Sequence, residues 1–278
     1  MQRVGLIIQA GIMRRSIPLA RLKNWMKKKL TSRRGKFLAT AMARVEVISL
    51  EILTFLDRTF FPGILRVILW MLGGSWGSIV VPLGKNINSS VQIAPTDEIY
   101  EIARRAHVIA VQRCYCRWRN QDYRYPMETC LVLGAANDLR ELAHIKNIVS
   151  GTNSHTISNE KLHDILEDAD RRGLIHQLIF FPSPQFFYVI CNCAAESCTT
   201  LRNLIRWGTP DVVKSNFIQH TDSTRCTSCG ICLTRCPFGA RIIKNGKLFV
   251  NSNRCFGCGL CVHTCPHSAI TLKKRDKK

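Results

Sequence analysis

Acidic residues are scarce in this chain of 278 residues, and its first 45 residues contain no aspartate or glutamate. Over the whole chain, 40 lysines and arginines outnumber 19 aspartates and glutamates, which gives a formal net charge of +21. A balance this basic favours acidic partners, either proteins or anionic lipid surfaces.

Familiar catalytic motifs are missing as well. The chain contains no Walker A or HExxH motif, which argues against the hydrolases built on them. It also lacks the Gly-x-Gly-x-x-Gly motif of dinucleotide-binding folds, so no flavin or nicotinamide cofactor is implied. No catalytic residue is predicted.

The basic arm, residues 1–45, interleaves positive charge with apolar residues at roughly helical spacing, including Leu19, Leu22, Trp25, Met26 and Leu30. This pattern predicts an amphipathic helix that lies on an anionic membrane. An organellar transit peptide and a solvated arm are alternatives with similar composition. A twin-arginine signal at Arg14 and Arg15 is disfavoured, because basic residues occupy the place of its apolar region.

Residues 46–95 form a largely apolar segment. Its longest uncharged stretch, Val67 to Gly84, contains several glycines and only just reaches the lower limit of length for a membrane-spanning helix. We therefore expect the segment to lie in a membrane interface or to dock on a partner subunit. A buried helix followed by a loop is the alternative.

Eight of the fourteen cysteines follow the spacing C-x2-C-x2-C-x3-C-P, which occurs twice near the end of the chain. They are Cys226, Cys229, Cys232 and Cys236, then Cys255, Cys258, Cys261 and Cys265. This double motif resembles the dicluster domain of bacterial-type ferredoxins, which carries two 4Fe–4S clusters. Thiolate ligands of this kind indicate a reducing compartment.

The resemblance implies that the fourth cysteine of each motif ligates the cluster of the other motif. One cluster is then expected on Cys226, Cys229, Cys232 and Cys265, and the other on Cys255, Cys258, Cys261 and Cys236. Two four-cysteine zinc sites are the alternative. The spacing disfavours them, because zinc sites use separated C-x2-C pairs.

The six remaining cysteines lie upstream, as Cys114, Cys116, Cys130, Cys191, Cys193 and Cys198. Four of them would suffice for a third Fe–S cluster or a zinc ion, and the favoured set is the first three with one of the last three. Arg117 would stabilise thiolate charge there. Reduced cysteines buried in a core are the alternative, and a redox-active Cys-x-Cys pair is disfavoured because it closes a strained ring.

These motifs together resemble a family of uncharacterised 4Fe–4S proteins over residues 96–272. The resemblance is carried by Cys-x-Cys-Arg, Pro-x-Glu-x-Cys-Leu-x-x-Gly, Ile-Cys-Asn-Cys and the double motif. In that family the second cysteine group is often denser, whereas Ala194 and Ala195 follow it here. The resemblance implies an iron–sulfur redox protein and nothing narrower.

The expected fold is α+β in four parts: the basic arm, a mainly helical apolar segment at 46–95, a cysteine-rich α/β domain at 96–214, and a pseudo-twofold ββ/α dicluster domain at 215–278. Helices are predicted after Thr96, at 137–150, after Ser158 and at 199–207. Strands are predicted at 108–111, 174–180 and 186–190, and a hairpin turn at Asn245–Gly246.

The dicluster segment from residue 215 carries eleven lysines and arginines against two aspartates, so its partner is expected to be a redox protein with an acidic docking surface, or an anionic membrane. Arg225 and Arg254, each directly before a motif, are expected to raise the cluster potentials. Nucleic acid is disfavoured, because Asp164, Glu167, Asp168 and Asp170 are predicted on the outer face of the Ser158 helix.

The main functional hypothesis is single-electron transfer by a cytoplasmic protein, peripheral at the inner membrane face or bound to a larger redox complex, in an anaerobic cell. Two alternatives stay open. One is the electron-input subunit of an oxidoreductase whose metal centre is the upstream cysteine set. The other is a regulatory or nucleic-acid-binding Fe–S protein.

Overall fold

The structure is a computed structural model, and it describes residues 48, 51–52, 55, 77–83, 99–104, 108–134, 154–180, 187–207 and 213–275. The basic arm, most of the apolar segment and the predicted helix at 137–150 lie outside these residues. The prediction of a mainly helical N-terminal region therefore finds no support. In the described part of the chain, no helix combines the length and apolar character required to cross a bilayer.

A seven-stranded sheet forms the middle domain. Its strands are β1 (Gly77–Val80), β2 (Val108–Arg113), β3 (Glu128–Gly134), β4 (His155–Thr156), β5 (Ile175–Phe180), β6 (Phe187–Cys193) and β7 (Val213–Ser215). They lie in the order β4-β2-β3-β6-β5-β1-β7, and every neighbouring pair is antiparallel except β1 with β7. The predicted β5–β6 hairpin is confirmed by this pairing.

Strand β1 corrects the expected division of the chain. Gly77–Val80 falls in the segment expected to associate with a membrane or partner, yet it pairs with both β5 and β7 inside the sheet. The residues that follow it, Val81 and Leu83, are buried in the core of the middle domain. This part of the apolar segment is therefore a buried strand. Hydrophobic periodicity alone does not distinguish a buried strand from a buried helix.

The described part of the middle domain also contains four helices. They are α1 (Ile99–Arg104), α2 (Tyr115–Arg119), α3 (Asn159–Arg171) and α4 (Thr199–Trp207). Helix α3 starts as the sequence predicts, because the Ser158 hydroxyl accepts the Lys161 amide at 3.2 Å. Its apolar face, with Leu162 and Leu166, packs into the core over the sheet. Gly173, at φ 82°, ends the helix.

The C-terminal domain contains β8 (Phe217–Thr221), α5 (Ile231–Thr234), β9 (Arg241–Lys244), β10 (Lys247–Val250), α6 (Leu260–Thr264) and β11 (Ile270–Lys274). Each half is thus a β-α-β unit. Strand β8 pairs with β11, and β9 pairs with β10, so each two-stranded sheet takes one strand from each half. The predicted Asn245–Gly246 turn joins the halves, with both residues at positive φ.

The two domains share a core and a polar contact. One apolar cluster contains Ile175 and Leu201 of the middle domain together with Phe238 and Leu260 of the C-terminal domain. Beside it, Nε2 of His263 lies 2.6 Å from the Asp170 carboxylate. Asp170 is only 2% exposed, so its predicted place on an outer helix face is wrong.

Candidate metal centres

The first motif pocket gathers Cys226, Cys229, Cys232 and Cys265 around an empty volume of about 320 Å³. Three of these thiols come from the first motif and one from the second, which is the set that the resemblance implies. The Ala269 amide lies 3.3 Å from the Cys265 sulfur and donates to it. Cys229 is exposed, so this pocket lies at the protein surface.

The second motif pocket gathers Cys236, Cys255, Cys258 and Cys261 around an empty volume of about 350 Å³. Backbone amides again donate to sulfur, from Gln219 to Cys255 at 3.5 Å and from Ala240 to Cys236 at 3.4 Å. Burial raises the pKa of the Cys258 thiol well above its usual value and that of Cys261 to about 11. This pocket is therefore more desolvated than the first.

Repeated turns shape both pockets. Gly230 and Gly259, at equivalent positions of the two motifs, cap α5 and α6 with φ of 80° and 88°. These left-handed conformations favour glycine, so the sequence repeats the residue where the backbone repeats the turn. Ser228 and Gly257 repeat a second positive φ, at 55° and 53°. A Cβ on Gly257 would lie 2.4 Å from the Phe217 carbonyl oxygen, which explains the glycine there.

Arg241 connects the two pockets and was not anticipated from the sequence. Its side chain is buried, and its guanidinium donates to Cys232 at 3.3 Å and to Cys261 at 3.2 Å. These sulfurs belong to different pockets. The same guanidinium also donates to Oε1 of Gln219 at 2.8 Å. The only sequence signal was an arginine at 241 where the second half of the repeat has Ile270.

The arginines that the sequence singled out make other contacts. Arg225 donates to the His267 carbonyl at 3.0 Å, and Arg254 donates to the Phe238 carbonyl at 2.9 Å. Both groups therefore stabilise the loops that carry the cysteines. Of these three arginines, it is Arg241 whose hydrogen bonds reach the sulfurs.

The donor sets suit iron–sulfur chemistry. Each pocket offers four thiols and has no carboxylate among its lining residues, and amide or guanidinium N–H groups point at several of the sulfurs. Hydrogen bonds to sulfur are a main means by which proteins tune a cluster. A bound cluster would supply reversible uptake of single electrons.

Residues 225–270 match the family of 4Fe–4S dicluster domains. The C-terminal domain is a 4Fe–4S dicluster domain. It binds iron–sulfur clusters, and an iron–sulfur electron-transfer role follows from it. The match stops short of the upstream cysteines, so the wider resemblance over residues 96–272 is supported for the dicluster domain alone. No curated protein and no solved structure matches the chain.

The upstream cysteines converge at one end of the middle sheet, next to the dicluster domain. Cys191 and Cys193 lie on one face of β6, and the β3–β6 register sets Cys130 beside Cys191. Cys114 and Cys116 come from the start of α2, directly after β2, and Cys198 directly precedes α4. Two groups that are far apart in the sequence thus meet because β3 and β6 are neighbours in the sheet.

Thiol–thiol hydrogen bonds connect all six in the order Cys114, Cys130, Cys191, Cys193, Cys198 and Cys116. Cys130 and Cys198 each contact two other thiols, and hydrogen bonds from these neighbours lower the pKa of both well below the usual value. Hydrogen bonding to these two sulfurs, followed by burial, raises the pKa of Cys114 and Cys116. We call Cys130 and Cys198 the hub thiols.

Other groups donate to these sulfurs. Nε2 of Gln177 donates to the Cys198 sulfur at 3.5 Å. The Thr200 hydroxyl lies 3.1 Å from the same sulfur, and either group can be the donor of that hydrogen bond. The Leu201 amide at the start of α4 donates to the same sulfur, and the Thr199 amide donates to Cys116. A helix N-terminus and these donors together favour thiolate at this position.

The loops around the upstream set are tied together by side chains. Nδ2 of Asn120 donates to the carbonyls of Cys116 at 2.8 Å and Ser197 at 3.1 Å. The Ser197 hydroxyl donates to Asp122, and hydrogen bonds from Arg124 and Ser197 lower the pKa of Asp122 to about 2. The two cysteine groups are thus held close by protein contacts alone.

Arg117 is buried beside these cysteines, with 1% of its surface exposed. It donates to the carbonyls of Asn192 at 3.1 Å and Pro126 at 2.5 Å, and to the Thr129 hydroxyl. After the hydrogen bonds from Cys114 and Cys191, its positive charge also contributes to the lowered pKa of Cys130. Among the residues that the structure describes, no carboxylate lies within ion-pair distance of Arg117.

Across the described ranges, no three or more His, Cys, Asp or Glu side chains are arranged as around a single metal ion. This holds for the eight motif cysteines as well as for the upstream six.

Proposed function

We propose that this protein carries single electrons through two 4Fe–4S clusters in its dicluster domain. Cys226, Cys229, Cys232 and Cys265 would hold the first cluster, and Cys255, Cys258, Cys261 and Cys236 the second. The observation that carries the proposal is the grouping of these eight thiols into two four-thiol pockets. Each cluster would accept one electron and release it without chemistry on a substrate.

The two pockets differ in exposure, which supports a direction for the relay. The first has an exposed cysteine at its rim, whereas burial dominates the environment of Cys258 in the second. The first cluster would therefore exchange electrons with an external partner. The second would exchange them with the first and with the interior of the protein.

An apolar patch beside the first pocket supports a protein partner. Ile231 and Ile243 are 45% and 41% exposed. Ile231 lines the pocket, and Ile243 lies 3.5 Å from the Cβ position of Gly230 and pairs across the hairpin with Leu248, which also lines the pocket. Lys244 and Lys247 follow this pair at the turn end of the hairpin. A partner with an apolar centre and an acidic rim would fit this surface.

Attachment to a membrane face or a larger complex is part of the proposal. Ile48, Ile52 and Phe55 are helical and 56%, 48% and 64% exposed, at spacings that set them on one helix face. Glu51, three residues after Ile48, pairs with Arg119 at 3.0 Å. This apolar face, together with the basic arm, would contact an anionic membrane or a partner subunit.

A second function is favoured by one observation. Cys191, Cys193 and Cys198 share an apolar cluster with Cys236 and Cys258 of the second pocket. The dicluster domain would then deliver electrons inward to a centre on the upstream cysteines, as the electron-input module of an oxidoreductase. Electron transfer through the dicluster domain is common to both functions.

The test is a potentiometric titration of anaerobically purified full-length protein, followed by electron paramagnetic resonance. The wild type should show reversible one-electron signals from two dicluster centres. Cys229→Ser should remove the signal of the first centre and Cys258→Ser that of the second, each with a loss of about four irons. Unchanged signals and iron in both variants would refute the proposed function.

A further inference from the structure

The six upstream thiols are arranged as two linked triads. Cys130 contacts Cys114 and Cys191, whereas Cys198 contacts Cys116 and Cys193. Each hub thiol therefore meets one member of each Cys-x-Cys pair. The contact between Cys191 and Cys193 links the triads. Packing alone does not explain why these cysteines contact one another. Apolar residues would fill the same core volume without forming a polar network.

The buried positive charge of Arg117 indicates that a negative charge balances it beside the upstream cysteines. A guanidinium stays charged when buried, and its burial without a counter-ion is unfavourable. Carbonyl and hydroxyl oxygens accept several of its hydrogen bonds, but Nε has no hydrogen-bond partner among the described residues. Its partners Asn192 and Thr129 adjoin Cys191, Cys193 and Cys130 in the chain, so the guanidinium lies beside the upstream thiols. The balancing anion is therefore a thiolate group or something that thiolates bind.

We infer that the six upstream cysteines form a third iron–sulfur site, with the hub thiols Cys130 and Cys198 as ligands and one thiol from each Cys-x-Cys pair completing the set. The inference rests on the proposed function for the route of the electrons, and on the cysteine geometry for the site itself. It differs from the sequence-based set, which combined Cys114, Cys116 and Cys130 with a single downstream cysteine.

The surroundings favour an iron–sulfur cluster over zinc. Thiolates bind both, so ligand type alone does not decide. The environment repeats that of the dicluster pockets, however, with amide N–H groups on Cys116 and Cys198, an amide side chain on Cys198 and a buried arginine beside the sulfurs. In the dicluster domain the buried arginine is Arg241, which donates to the Cys232 sulfur directly. Such donors tune the potential of a redox centre, which zinc is not.

Position supplies the second argument for a redox centre. Cys191, Cys193 and Cys198 of the upstream set share an apolar cluster with Cys236 and Cys258. Phe238 and Leu260 belong to the same cluster. Arg235, directly before Cys236, donates to the carbonyls of Asp170 and Arg171 at 3.1 and 2.9 Å, which fixes the second pocket against the middle domain. One electron leaving the second cluster would reduce the upstream cluster by one electron, with no bond made or broken. A reduced protein partner at the first pocket would supply that electron.

Metal and sulfide analysis of anaerobically reconstituted full-length protein tests the inference. Iron, acid-labile sulfide and zinc are measured together on the same sample. The wild type should contain about twelve irons and about twelve sulfides per chain, which corresponds to three 4Fe–4S clusters. Cys130→Ser and Cys198→Ser should each contain about eight of both. Zinc should be absent from all three proteins.

Cys229→Ser is the matched control, because it removes a ligand of the exposed first pocket and leaves the upstream set intact. It should also lose about four irons, and the Cys130→Ser/Cys229→Ser double variant should retain about four. Wild type with about eight irons, unchanged by Cys130→Ser but halved by Cys229→Ser, would overturn the third site and leave the proposed function standing. One zinc per chain that disappears in Cys130→Ser would also overturn it.

Electron paramagnetic resonance of the wild type provides a second test of the third site. This test does not depend on whether the buried-cysteine variants fold. Full reduction should give three one-electron signals in electron paramagnetic resonance, with magnetic coupling between neighbouring centres. Two signals together with about eight irons would contradict the third site. Iron absent from the dicluster pockets would instead contradict the proposed function.

Discussion

Arg241 occupies the position in the first half of the dicluster domain that Ile270 occupies in the second, each at the same distance after the last cysteine of its motif. Both side chains are buried, but only the arginine donates to sulfur, and it does so to one cysteine of each pocket. The pseudo-twofold repeat is thus broken at one residue that lies between the two cluster sites. A buried positive charge there would stabilise the more negative, reduced state of clusters held in the two pockets.

Arg241→Ile should therefore lower the reduction potentials of both dicluster centres, on the order of tens of millivolts each, because each loses a charge-assisted hydrogen bond. The replacement uses the residue of the protein's own second repeat, which is accommodated at the equivalent position. Spectroelectrochemical titration measures the two potentials.

The control for this prediction is Arg241→Lys. It keeps the positive charge but loses the two simultaneous hydrogen bonds of the guanidinium to Cys232 and Cys261. It should fall between wild type and Arg241→Ile. Potentials that are unchanged in Arg241→Ile would show that the guanidinium serves packing only, and a shift in one centre alone would contradict its bridging role.

Arg117→Met should lower the iron content of the upstream site selectively, because it removes the buried charge that balances the thiolates. We expect a loss of up to about four irons, with the dicluster signals retained. Arg117→Lys should retain more iron than Arg117→Met. If Arg117→Met melts at a lower temperature but keeps its full iron content, Arg117 is a structural residue and not a counter-charge.

Local features of the fold could be predicted from the sequence where one residue decides the geometry. Ser158 caps α3, and Asn245 and Gly246 make the hairpin turn. Each feature depends on contacts within a few residues, so the local sequence is sufficient to predict it.

The sheet order and the interior site could not be predicted in the same way. Strand β1 reads as an apolar run, and its place between β5 and β7 depends on pairing partners far along the chain. The meeting of Cys130 with Cys191 follows from the β3–β6 register, which no local signal contains. The burial of Asp170 likewise follows from the docking of the dicluster domain, since His263 covers it.

Reversing charge beside the first pocket should alter its reaction with charged reductants. Lys244→Glu/Lys247→Glu should slow reduction by the anionic dithionite radical several-fold at low salt, and accelerate reduction by the cationic methyl viologen radical. Stopped-flow absorbance measures both rates, and high salt should remove both effects.

Lys273→Glu/Lys274→Glu is the matched control, because it changes the net charge equally on the other two-stranded sheet, at the end of β11. It should affect both reductants much less. Equal effects of the two double variants would mean that the first pocket is not the place where electrons enter.

His263→Leu should destabilise the docking of the two domains, because it takes a hydrogen-bonding partner from the buried Asp170 carboxylate. The expected loss is about 1–3 kcal/mol in the free energy of unfolding, measured by anaerobic chemical denaturation. His267→Leu, also close to motif cysteines but exposed, is the control and should change stability by less than about 0.5 kcal/mol. A loss equal to that of the control would show that the Asp170 contact contributes nothing to docking.

Counting the electrons that the purified protein takes up tests the central claim, electron transfer through the dicluster domain, most directly. Anaerobic titration of full-length protein with a calibrated reductant, followed by the bleaching of the cluster absorbance, should consume about three electrons per chain. Cys130→Ser should consume about two, and reoxidation should restore the starting spectrum in both proteins. Uptake of fewer than two electrons by the wild type, or bleaching that reoxidation does not reverse, would contradict the account.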